Sequence, residues 1–116
     1  MTILIVDDNA GVRRLLRSAI DQLGANVWDC SDGSDALNCY ERHHPDVVLM
    51  DLSMPVLDGI SATRQILRSD PSAKVIIVTD YDDDDLRKAA RQAGSSGYAL
   101  KRNLLDLVPL ILSTLG

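Results

Sequence analysis

Three carboxylates, a hydroxyl and an ammonium stand at the ends of short apolar runs in this 116-residue chain. Ile3-Leu4-Ile5-Val6 leads into Asp7-Asp8, Val47-Val48-Leu49-Met50 into Asp51, Val75-Ile76-Ile77-Val78 into Thr79, and Tyr98-Ala99-Leu100 into Lys101. If these groups meet, carboxylates about 4 to 5 Å apart repel by roughly 3 to 4 kcal/mol per pair at an effective dielectric of about 20. They then need a cation or a proton. An all-oxygen donor set with open positions suits a hard divalent ion such as Mg²⁺. The ion and the ammonium of Lys101 together balance the three negative charges. A carboxylate, a metal, an ammonium and a hydroxyl are also the parts needed to transfer a phosphoryl group to that carboxylate.

Such a meeting requires the runs to be parallel strands. Apolar runs of about four residues separated by helical patterns read as buried parallel strands, whose carboxyl ends share one edge. Between the first two, Val12, Leu15, Leu16, Ala19, Ile20 and Leu23 form an amphipathic helical stripe, with Arg13, Arg14 and Arg17 outside and Gly24 as its stop. Asn26 to Cys30 supplies a second strand, and Ser34 is a candidate cap for a helix to about Arg42. Further helices are expected from about Ile60 to Arg68 and from about Asp84 to Ala93. The latter offers mainly Leu86, Ala89, Ala90 and Ala93, so it should dock weakly. A last helix starting near Leu105 or Asp106 keeps Pro109 in its first turn, where no backbone donor is lost. The order is β-α five times: an α/β, doubly wound, five-stranded parallel sheet of flavodoxin-like order 2-1-3-4-5.

Composition narrows the classes. A hydrophobic fraction of 46% and a charged fraction of 25% are ordinary for one soluble globular domain spanning residues 1–116. A net charge of -5 argues against a direct grip on nucleic acid. No run approaches the roughly 20 apolar residues of a membrane span, and no signal peptide is apparent, so a cytoplasmic location is expected. Cys30 and Cys39 lack metal-type spacing and read as reduced, buried or half-buried thiols. Taken singly, the edge residues have ordinary uses: Asp7-Asp8 as a helix cap, Asp51 as a turn, Thr79 as a strand end, Lys101 as a solvated charge. Their joint placement at four strand ends argues for the chemistry.

The set Asp7-Asp8, Asp51, Met54-Pro55-x-x-Asp58-Gly59, Thr79, Tyr98 and Lys101 resembles the receiver domain of two-component response regulators, over essentially the whole chain. The resemblance implies a (βα)5 receiver that is a switch and not an enzyme. Asp51 would take a phosphoryl group from a sensor histidine kinase or phosphotransfer protein. Asp8 would ligate Mg²⁺ directly, Asp7 largely through water, with Asp51 and the Ser53 carbonyl completing the protein ligands. Thr79 and Lys101 would bind the phosphoryl oxygens, and Tyr98 with Thr79 would form the switch. Ser53 and Tyr81 fall at positions that tune the hydrolysis rate in the family. The face from Leu86 to Leu112, spanning the fourth helix, fifth strand and fifth helix, would report the change and is the expected site of a homodimer.

Two departures stand out. Asp80 occupies a position that is typically small in the family, so it either hinders anionic donors or points into solvent. Arg102 replaces a common Pro, and Lys101-Arg102-Asn103 after Gly97-Tyr98 is more similar to receivers joined to a helix-turn-helix DNA-binding domain. The chain ends at Gly116, as a whole single-domain regulator or as the receiver part of a longer one. Two other readings remain. An aspartyl-nucleophile phosphohydrolase would want a second acid where Ser53 stands, and a receiver fold blocked by Asp80 would serve only as an interaction module.

Overall fold

The computed structural model describes residues 1–116. Five strands, β1 (Thr2–Val6), β2 (Asn26–Cys30), β3 (Val47–Met50), β4 (Val75–Thr79) and β5 (Gly97–Leu100), form one sheet in the order β2-β1-β3-β4-β5. Every pairing is parallel, with Val6 opposite Met50 and Thr79 opposite Leu100. All four carboxyl ends that carry Asp7, Asp51, Thr79 and Lys101 therefore open on one edge. Five helices connect them: α1 (Ala10–Ala19), α2 (Ala36–His43), α3 (Gly59–Ser69), α4 (Asp84–Gln92) and α5 (Leu107–Leu115). None is long and apolar enough to cross a membrane.

Alternation along the strands divides the core between the two faces. Leu4, Val6, Val48, Met50, Val75 and Ile77 point toward α2, α3 and α4. Ile3, Ile5, Val47, Leu49, Ile76 and Val78 point toward α1 and α5, meeting Leu16, Leu107 and Ile111. The central strands are apolar on both faces because helices cover both. Each fully buried Val, Leu or Ile contributes about 1.5 to 3 kcal/mol relative to exposure. β2, at the edge, fully buries only Cys30.

Several local expectations need correcting. α1 ends at Ala19, and a 3₁₀ turn over Asp21–Leu23 follows, closed by Gly24 at φ +62°, which favours glycine. Leu15 is 60% exposed, because the inward stripe runs through Val12, Leu16 and Ala19 and leaves Leu15 beside it. Arg13 is half-buried, not outward. Ser34 caps nothing. Asp32 accepts from the Ser34 N–H at 2.8 Å and opens a 3₁₀ turn over Gly33–Asp35, after which α2 begins. Neither Asp7 nor Asp8 caps α1: Asn9 does, accepting from Val12 N–H at 3.0 Å. Asp8 is thereby uncommitted, and Asp7 gives only Oδ1 to local backbone, accepting from the Asn9 N–H at 2.8 Å. α4 fully buries only Ala90, in keeping with weak docking, and Pro109 sits in the first turn of α5. Leu105 (91% exposed) and Leu112 lie outside the core.

Candidate functional site

Asp7 follows β1 and is 1% exposed; Asp51 follows β3 and is 5% exposed. Their backbones lock to neighbouring strands, Asp7 N–H donating to Cys30 O (3.0 Å) and Asp51 N–H to Val6 O (2.8 Å). The carboxylates therefore project from fixed points. Gly59, first in α3, lets that helix lie directly on the Asp51 carbonyl, where any Cβ would collide. Asp58 positions the same helix by accepting from the Ser61 N–H at 2.9 Å. Burial works against the Asp58 anion, but donation from Ser61 holds its carboxyl below the ordinary value.

Lys101, one residue beyond β5, lies 3.0 Å from Asp7 Oδ2 and 3.0 Å from Asp51 Oδ1. Asp8, exposed, brings a third carboxylate, and one oxygen from each of Asp7, Asp8 and Asp51 lies within 4.8 Å of the others. Burial, opposed by Lys101 and reinforced by the charges of Asp7 and Asp8, leaves the Asp51 carboxyl above its ordinary value. For Lys101, burial disfavours the ammonium, but pairing with the Asp7 and Asp51 carboxylates outweighs it and raises the Lys101 value. One cation among three carboxylates is a net deficit of positive charge.

A single atom makes that deficit concrete. Asp7 Oδ1 accepts from the Asn9 N–H at 2.8 Å, whereas buried Oδ2 has no hydrogen-bond partner. Lys101 Nζ is near it, but the approach does not satisfy hydrogen-bond geometry, so the contact is an ion pair only. The one cation near this buried oxygen is shared with Asp51, and a hard divalent ion would complete its partners. The donor set fits Mg²⁺.

The other expected residues lie around this cluster. Thr79 ends β4, 1% exposed, and its Oγ1 accepts from the Tyr81 N–H at 3.2 Å. Tyr98 is not inward: its hydroxyl donates to the Tyr81 carbonyl at 2.6 Å, with the Arg87 guanidinium 4.5 Å above its ring. Ser53 lies exposed in the loop after Asp51, and Tyr81 is exposed. Asp80 is exposed, as the solvent view expects; the hollow it shares with Lys101 and Arg102 is otherwise lined by apolar residues such as Val12 and Leu16 and includes none of Asp7, Asp8 and Asp51.

Some contributors escaped sequence reading. Arg13 donates to the Asp7 carbonyl at 2.6 Å and so braces the acidic turn. Asp82 joins Arg87 (3.0 Å) and Arg102 (3.6 Å) beside Tyr98. Alternation of charge along the chain could have marked Arg87 as a partner for the Asp run, but nothing local ties it to an aromatic ring.

Known proteins resemble this arrangement. Residues 3–111 match the response regulator receiver domain. Transcriptional regulatory protein DegU of Brevibacillus brevis is 37% identical over 103 residues, 85% of this chain and 43% of that protein. Chemotaxis protein CheY of Halobacterium salinarum is 35% identical over 99 residues, 85% of this chain and 82% of that protein. The crystal structure of the CheX-CheY-BeF3-Mg+2 complex from Borrelia burgdorferi superposes with a TM-score of 0.93 at 27% identity, covering 100% of this chain and 90% of that one. The chain spans less than half of DegU and 24% of another relative, a protein-glutamate methylesterase from Hahella chejuensis. With a 2-1-3-4-5 parallel sheet and a match over nearly its whole length, the chain belongs to the response regulator receiver domain family.

Proposed function

We propose that residues 1–116 act as one receiver domain whose Asp51 accepts a phosphoryl group from a phosphohistidine of a sensor kinase or phosphotransfer protein. The observation that carries this reading is the buried Asp51 carboxylate, paired with Lys101 and flanked by the orphaned oxygen of Asp7. Asp7, Asp8, Asp51 and the Ser53 carbonyl would hold Mg²⁺. The bound ion would neutralise charge shared between carboxylate and phosphoryl oxygens.

Asp51 supplies the attacking oxygen: a carboxylate O–P bond forms as the P–N bond to the donor imidazole breaks. Its raised carboxyl value makes it a more basic nucleophile than an exposed Asp. Lys101 already touches Asp51 and can follow the charge onto the new phosphoryl oxygens. Thr79 Oγ1 now only accepts, from Tyr81, so its own O–H remains available to donate a hydrogen bond to the phosphoryl group. Drawing Thr79 inward loosens its bond to Tyr81 N–H, and the Tyr81 carbonyl is what holds Tyr98 outward. The lightly buried α4 is the element this change would move, and the α4-β5-α5 face the surface that a partner, a second copy or a C-terminal DNA-binding domain would read. On this reading the protein is a cytoplasmic switch with no turnover of its own beyond loss of its phosphate.

Incubation with a small acyl or amido phosphodonor and Mg²⁺ should give one transient phosphate adduct by intact-mass analysis, absent with chelator. Multiple turnover without an adduct would instead support the phosphohydrolase. Neither adduct nor turnover would leave the interaction module. Asp80, an exposed carboxylate directly after Thr79, repels anionic donors on this account. Asp80→Ala should then label several-fold faster at fixed Mg²⁺; an unchanged rate would return Asp80 to a solvent role.

A further inference from the structure

Outside the phosphoacceptor edge, the fold assembles a second donor cluster. Cys30 ends β2, Asp35 is the residue before α2, and Cys39 lies one helical turn beyond Asp35. The two sulfurs and an Asp35 oxygen all lie within 4.8 Å of one another. Both thiols are buried and free, while Asp35 is exposed and opens the cluster to solvent. Cys39 Sγ is 3.5 Å from Asp35 Oδ2. With metal–sulfur bonds of about 2.3 Å and metal–oxygen bonds of about 2.0 Å, a tetrahedral ion separates sulfur from oxygen by about 3.5 Å and sulfur from sulfur by about 3.8 Å. The Cys39–Asp35 pair already stands at that separation.

The surroundings suit a cation. Asp35 takes part in no ion pair with any Lys, Arg or His. Its other oxygen accepts from Asn38 Nδ2 at 3.4 Å, which orients the carboxylate. The Asp7-Asp8-Asp51 cluster is all oxygen and selects a hard ion. Two sulfurs and one oxygen select a softer one.

We propose that Cys30, Cys39 and Asp35 form a binding site for a thiophilic divalent ion of the zinc class, with water in the fourth position. Binding is two thiols plus M²⁺ giving two metal-bound thiolates and two protons released to solvent. The site is independent of the phosphoacceptor reading, because its donors take no part in that chemistry.

Co²⁺ is the probe, added to the full chain kept reduced with a phosphine. A sulfur-to-cobalt charge-transfer band saturating at one equivalent is expected, with both thiols shielded from alkylation and about two protons released per ion. Zn²⁺ should bleach the band. Cys39→Ser should abolish it, and Asp35→Asn should weaken binding about 10-fold or more. Asp8→Asn, which alters only the oxygen cluster, should leave it unchanged. Because Cys39→Ser could perturb folding, its far-ultraviolet circular dichroism and melting curve are read alongside, and Asp35→Asn, at an exposed position, serves as the second variant. Absence of the band in the native chain, or its persistence in folded Cys39→Ser, overturns the proposal.

Discussion

Lys101→Ala is expected to slow phosphoryl incorporation by about 10²- to 10³-fold at fixed donor and Mg²⁺, the usual cost of removing one preorganised charge from a transition state. The geometry makes the loss severe. Lys101 Nζ is the only side-chain cation within 4.0 Å of the Asp51 and Asp7 carboxylate oxygens, and it reaches both. Without it, burial and the Asp7 and Asp8 charges act on Asp51 unopposed, raising its carboxyl value further. Lys101→Arg keeps the charge but spreads it over a longer planar fork, so its rate should fall between wild type and alanine. Time courses of adduct formation by mass spectrometry measure this. A Lys101→Ala rate within about two-fold of wild type, against that expected range, would remove Lys101 from the chemistry.

Mg²⁺ should raise the melting temperature, by on the order of 10 °C at about 100-fold excess over its dissociation constant, equivalent to about 2.7 kcal/mol. The reason lies in the signs of two shifts. Asp51 has a folded value above the ordinary 3.8, so its ionisation destabilises the native state as pH rises through the interval between them, and the strain persists at neutral pH. Lys101 has a folded value above the ordinary 10.5, so its pairing contributes fully below 10.5 and is lost as pH rises beyond it. At neutral pH the cluster thus has its one ammonium in place and remains short of positive charge. The ion should supply the remainder and partner Asp7 Oδ2. Asp8→Asn should shrink the Mg²⁺ shift several-fold while leaving the ion-free melting temperature equal or higher. Differential scanning fluorimetry across a Mg²⁺ titration tests both; an equal shift in Asp8→Asn would place the ion elsewhere.

The strand ends were legible in the sequence because a parallel sheet fixes them. Once Val47–Met50 and Val75–Thr79 are read as buried strands, Asp51 and Thr79 share an edge whatever the helices do. Lys101 was legible for the same reason, and the structure adds its reach to two carboxylates. Helix faces were less secure. Val12 and Leu15 are both apolar and three residues apart, yet only one of them packs against the core, because the inward stripe runs through Val12, Leu16 and Ala19 and Leu15 lies at its edge. Arg13 reads as a surface charge until the turn after β1 places the Asp7 carbonyl within its reach. Tyr98 was identifiable, but its outward position depends on a loop that carries the Tyr81 carbonyl past it. Cys30 and Cys39 are nine positions apart, and only the crossover from β2 into α2 brings them together.

Reductive trapping of the phosphorylated protein is the most direct test of the proposed acceptor. Borohydride converts an aspartyl phosphate to homoserine, which peptide mapping locates to one position. The account predicts homoserine at residue 51 in the wild-type chain labelled with Mg²⁺ and donor, and none in Asp51→Asn. Homoserine at Asp7, Asp8 or Asp58, or at no position despite a phosphate adduct, would contradict it.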